Sequence, residues 1–164
     1  MTKKISILIG STISLFLLWM IGLEKIYAQL LKFGASVLLS PFSNITPVLK
    51  TDNAHPDFCV AVGKEGYCMQ MELFGLSIIV LLSWYVLLVA LKPSKKMILT
   101  ALKHLGLFYL LQILTMTTLA LYDISTFFQQ ANDALRQSFI IIALIFIIRD
   151  NYIYEIFTFK KSKI

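Results

Sequence analysis

Four apolar runs, at about residues 5–22, 73–91, 105–122 and 137–148, dictate what this chain can become. A helix needs about 20 residues to cross a hydrocarbon core of about 30 Å. Inside that core every backbone N–H and C=O must be satisfied within the chain. The first three runs meet the length directly. The fourth is only a dozen residues between Arg136 and Arg149. It crosses if those arginines snorkel, or if the helix continues through Tyr152 and Phe157. Hydrophobic residues are 58% of the 164 and mean hydropathy is +0.79, far from the soluble globular norm. The expected fold is therefore all-α: a single polytopic membrane domain, 1–164, with four transmembrane helices.

Orientation follows from the distribution of lysine and arginine. Ten of the fifteen, among them Lys3, Lys4, Lys92, Lys95, Lys96, Lys103 and Arg149, fall on one side of the four spans. Lys25, Lys32, Lys50, Lys64 and Arg136 fall on the other. This bias predicts both termini in the cytoplasm (N-in, C-in) of an inner or plasma membrane. It also accounts for the net charge of +6 as a topology signal. No basic stripe with interleaved aromatics indicates nucleic acid as a partner. The basic start and first apolar run resemble a signal peptide, but the run is long and Glu24-Lys25 follows it, so an uncleaved anchor is expected.

Residues 24–71 form the extracytoplasmic segment of this scheme. Within it, Tyr27, Leu30, Leu31, Val37 and Leu38 fall on one helical face, with Lys25, Gln29, Lys32 and Ser36 largely opposite. That pattern fits either an extension of the first helix or an amphipathic helix on the outer membrane surface. Pro41 and Pro47 break it, and residues 41–71 read as a hydrophilic loop carrying His55 and both cysteines. Lys92-Pro93-Ser94-Lys95-Lys96 is a tight cytoplasmic turn in which Ser94 is placed to cap the third helix. Gly10 and Ser14 offer a small-residue pair on the first helix, and Asn44-Ile45-Thr46 is a glycosylation sequon by pattern.

The cysteines leave three readings open. Cys59 and Cys68, with eight residues between them on the oxidising side, can staple the loop as a structural disulfide. They can form a thiol–disulfide exchange pair, although the spacing is not CxxC. Or Cys68, set where Val60-Ala61-Val62-Gly63-Lys64-Glu65-Gly66-Tyr67 runs into the second span, can be a nucleophile.

That last placement carries a resemblance. The strand-like Phe58 to Val62, the Cys68-to-helix junction through Met69 to Leu81, the basic turn Lys92 to Lys96 and the helix around Leu107 to Thr115 follow one another in a familiar order. The order is similar to that of exosortase- and archaeosortase-like membrane cysteine transpeptidases, over nearly the whole chain. The resemblance implies Cys68 as the catalytic residue. The chain departs from the pattern at its partners: Thr115 stands where the family carries its arginine, Gln112 replaces the asparagine, and Asn132-Asp133 stand in place of the histidine. A thiolate needs a base, and the oxyanion needs a donor. His55 and Arg136 are the residues available to substitute. The departures favour a relative of the fold without its activity.

In the third span, Gln112, Thr115 and Tyr122 align with His104 on an intramembrane polar face, fit for helix–helix hydrogen bonding or, less simply, a transport path. The sequence shows no metal-ligand cluster, phosphate loop or cofactor motif. The expected function is a non-catalytic integral membrane subunit of an envelope assembly, secretion or sorting complex. It would bind other membrane or envelope proteins through the outer loop and helix faces. A cysteine transpeptidase using Cys68 is the alternative, and a thiol–disulfide membrane protein the third reading.

Overall fold

Helix boundaries follow local chemistry. The computed structural model describes residues 2–42, 44–51, 55–62, 65–122 and 125–157. Helix α1 (Thr2–Leu18) runs into a π-helical turn, Trp19–Leu23, and then α2 (Glu24–Leu39). Gly22 sits in the turn at φ +144°, a conformation in which an L side chain is strained, so this glycine sets the kink. Helix α3 spans Glu72–Leu91. Helix α4, Lys95–Ala120, begins ten residues before the expected span because Ser94 caps it, accepting a hydrogen bond from the Met97 N–H at 3.2 Å. Helix α5, Thr126–Tyr154, extends far beyond residues 137–148 in both directions, so the short apolar run is no obstacle to crossing. It ends on Glu155 in the left-handed conformation, φ 49°. Four helices, counting Thr2–Leu39 as one bent rod, are long and apolar enough to span a membrane.

Helices α3, α4 and α5 make the core, with Phe74, Phe108 and Phe139 at its centre; ring centroids lie 4.9 Å apart for Phe74–Phe139 and 5.7 Å for Phe108–Phe139. Successive helices are antiparallel, since Tyr85 meets His104 while Phe74 meets Gln112, and Thr115 meets Asn132 while His104 meets Arg149. Helix α1 lies against α3 but buries none of its own residues. Just beyond α1, Trp19 of the π-helical turn packs on α3 at Gly75, where an added Cβ would lie 2.7 Å from the Trp19 ring.

The fold is not all-α. What reads as a hydrophilic loop over 41–71 contains an antiparallel sheet of three strands in the order β1-β2-β3: β1 (Ile45–Lys50), β2 (Asp57–Val62) and β3 (Glu65–Gln70). Phe58 and Val60 of β2 and Met69 of β3 are buried, which supplies the apolar face a small sheet needs. The strands are six residues each and β1 contains Pro47, so none stands out beside the long apolar runs. The sheet rests on α2 through β1 and reaches α4 through β2.

Candidate functional site

Two clusters of polar side chains close the two ends of the bundle. The sheet end holds the residues singled out in the sequence. Cys59 and Cys68 are directly opposed in the β2–β3 register, with Cα atoms 4.0 Å apart, and their sulfurs are bonded. Cys59 is buried at 5% exposure and Cys68 is the exposed member. While the bond is closed, Cys68 has no thiolate. Its use as a nucleophile requires reduction first.

Of the residues named as substitutes for the family's base and cation, His55 is paired and Arg136 lines a cavity. His55 Nδ1 lies 3.1 Å from Oε2 of the buried Glu24. With Phe16, Trp19 and Leu76 these two line a cavity of about 140 Å³ at the α1–α2 bend. His55 thus braces the kink. Arg136 lines a separate cavity of about 380 Å³ with Asp133, Gln137, Phe139 and Ile140. One turn away from it, Phe139 packs on Phe74 at the start of α3 with the ring planes tilted by 49°, so Arg136 stands near the height of the β3–α3 junction.

The positions where the resemblance expects arginine and histidine do meet. Asn132 Nδ2 donates to the Thr115 carbonyl at 2.8 Å and to Thr118 Oγ1 at 3.1 Å, while Thr115 Oγ1 donates to the Leu111 carbonyl. Asn132 Oδ1 is buried and has no partner among the described residues. What these groups make is a hydrogen-bonded clamp between α4 and α5, with no fixed charge. Gln112, fully buried, accepts from the Tyr27 hydroxyl and reaches the Phe74 carbonyl at 3.4 Å and Ser77 Oγ at 3.5 Å. It ties α2, α3 and α4 at one point. Tyr122 separates from this face: it lies in the turn after α4, its ring 5.8 Å from that of Tyr67 on β3.

The turn end holds a cluster that the sequence reading missed. His104, only 3% exposed, stacks on Phe146 with centroids 4.5 Å apart and planes 8° from parallel. Arg149 NH1 lies 3.1 Å from His104 Nε2. A guanidinium only donates, so Nε2 accepts and the ring proton sits on Nδ1. Tyr85 Oη lies 2.6 Å from that Nδ1 and 3.1 Å from Asp150 Oδ2. His104 Nδ1 also lies 3.3 Å from Asp150 Oδ2, so Arg149 donates to His104, Tyr85 donates to Asp150, and the Nδ1 proton faces both the Tyr85 hydroxyl and the Asp150 carboxylate. The chain leads from an exposed cation to a carboxylate at 0% exposure, whose Oδ1 has no partner among the described residues. Such a group is affordable only where polar neighbours answer it. In the sequence His104 stands on the polar face of the third span, and Asp150 follows the last apolar run beside Arg149. Their separation of 46 positions hides the pairing.

Among the described residues no group of three or more His, Cys, Asp or Glu is disposed to hold a metal ion. A scan against protein-family models, a search of curated protein sequences and a search of solved structures each found no match to this chain.

Proposed function

We propose that this chain is a non-catalytic integral membrane subunit that presents a disulfide-stapled sheet, on the extracytoplasmic side, as a docking platform for another protein of an envelope assembly, secretion or sorting complex. The observation that carries the reading is the Cys59–Cys68 bond, which pins the central strand β2 to the edge strand β3. It takes up both thiols of the chain. Disulfides persist in oxidising compartments, which agrees with the lysine and arginine bias toward the opposite end. Gln112, Thr115 and Asn132 use their polar groups to hold helices together, a structural role.

The platform has a means of binding. A Cα separation of 4.0 Å fits the narrow, non-hydrogen-bonded type of antiparallel pair. Cys68, Gly66 and Gln70 then turn their main-chain N–H and C=O groups away from β2. All three are exposed, so β3 offers an open edge to an added strand.

Thiol trapping with a membrane-impermeant maleimide in intact cells tests this. Labelling of Cys59 and Cys68 only after reduction is the expected result, with photocrosslinking from Gln70 capturing a fixed partner that a probe at Leu99 does not. Fast labelling of Cys68 without reduction would sink the reading and restore the transpeptidase alternative. Interchange between oxidised and reduced pools during growth would favour the thiol–disulfide one.

A further inference from the structure

Neither the helix clamps nor the disulfide accounts for the cavity at Arg136. It measures about 380 Å³, and the residues lining it, Asp133, Arg136, Gln137, Phe139 and Ile140, all belong to α5. Arg136 is half-buried and Asp133 is exposed. They stand three positions apart, a spacing at which a helix brings opposite charges together. Yet among the described residues neither makes an ion pair or a hydrogen bond, with each other or with any other group. A guanidinium drawn partly out of water with its donors unused calls for an anion.

The lining is graded along the axis of α5, a helix long and apolar enough to span. At 1.5 Å per residue, Asp133 stands about 4.5 Å nearer the sheet end than Arg136, and Ile140 about 6 Å nearer the middle of the span. At 100° per residue Asp133, Arg136, Ile140 and Leu144 share one face. Ile140 and Leu144 are exposed at 51 and 46%. From the sheet end toward the hydrocarbon, this face therefore offers an acid, then a base, then an apolar wall.

We infer that the Arg136 cavity holds the headgroup of a zwitterionic aminophospholipid from the leaflet at the sheet end. Its phosphate lies on Arg136 beside the Gln137 amide, its ammonium on Asp133, and an acyl chain along Ile140 and Leu144. Such a lipid carries the same three elements in the same order: ammonium outermost, phosphate next, acyl chains inward. The order of charges selects it. A purely anionic lipid gives Arg136 its partner but leaves Asp133 facing a headgroup with no cation. A peptide added to β3 can answer both charges, but it brings nothing apolar that continues down the span beside Ile140 and Leu144. Arginine binds phosphate through directional, charge-assisted hydrogen bonds, so the contact is more specific than a side chain snorkelling into bulk headgroups. Arg136 stands near the height of the β3–α3 junction, and the bound headgroup sets that junction at the membrane surface.

The test is native mass spectrometry of the full chain in detergent micelles, titrated with phosphatidylethanolamine or phosphatidylglycerol of matched acyl chains. The unaltered chain is expected to bind its first phosphatidylethanolamine about threefold more tightly than phosphatidylglycerol. Arg136→Gln should weaken both by about tenfold, whereas Asp133→Asn should remove only the preference between them. Lipids held elsewhere are common to every variant and cancel in the comparison. Unchanged affinity of Arg136→Gln for both lipids would overturn the inference. A preference for phosphatidylglycerol, or a phosphatidylethanolamine preference that survives Asp133→Asn, overturns it too. So does co-purification of a protein that is lost with Arg136→Gln, by giving the cavity another occupant. Thermal unfolding checks the fold of each variant. Asp133 is exposed, so Asp133→Asn still decides the matter should Arg136→Gln fail to fold.

Discussion

The sheet end and the turn end of the α3–α5 bundle are fastened by opposite means. At the sheet end the closure is covalent and main-chain: a disulfide between paired strands, ladder hydrogen bonds, and the packing of the sheet on α2 and α4. At the turn end it is a side-chain cluster in which the exposed Arg149 meets His104, Tyr85 and Asp150, the last three buried among three helices. The first kind is stable in water and depends on an oxidising compartment. The second gains strength from exclusion of water and loses it when one member is removed. The same chain thus meets two solvents with two chemistries.

The comparison breaks most directly at Asp150. Asp150→Ala leaves the Tyr85 hydroxyl and the His104 Nδ1 proton without their buried acceptor, and is expected to cost roughly 3 kcal/mol. Hydrogen exchange should rise at the turn end of α3, α4 and α5 while the sheet stays protected; uniform loosening of both ends would show that they are one cooperative unit. Replacing Cys59 and Cys68 together by serine is expected to cost about 2–3 kcal/mol, from the loop-closure term for a short loop. Here exchange should rise in β2 and β3 and leave the His104 cluster unchanged. Gly75→Ala, in the first turn of α3, pushes against the Trp19 ring, and about 1–2 kcal/mol is expected from overpacking. Thermal unfolding in detergent, with exchange read along α1, would show α1 loosening from α3 before either cluster opens. Ser94→Ala removes one cap and is expected to cost about 1 kcal/mol, confined to the first turn of α4 and visible as fraying there.

Legibility in the sequence followed the range of the forces. The spans were readable because hydrophobic run length is a local property, and the Ser94 cap because it acts over three residues. The cysteine spacing pointed to a staple among other readings, and Gln112 and Thr115 were marked by polarity inside an apolar run. The strands were not readable, because six-residue segments carry too few alternations and their register comes from pairing. The Gly22 kink was also hidden, since a glycine after an apolar run fits a span's end as well as a bend. The His104 cluster was the least legible of all. Arg149 and Asp150 are adjacent opposite charges at a helix end, a pattern that normally means solvent, and only the approach of α3 and α4 turns Asp150 inward.

The contacts between the start of α1, the end of α3 and the end of α5 carry a lesson about the order of biosynthesis. Lys4 Nζ donates to the Ile156 carbonyl and sits over the Phe157 ring, and Lys92 Nζ donates to the Tyr154 carbonyl. Lys4, made at the start of translation, and Lys92, made past its midpoint, thus wait for backbone acceptors that emerge from the ribosome at the far end of α5. Until then α1, which buries nothing of its own, is only loosely committed to its neighbours. A ribosome stalled before Tyr154 would leave both lysines without those acceptors, and the membrane quality-control machinery would meet the first helix in an unfinished state.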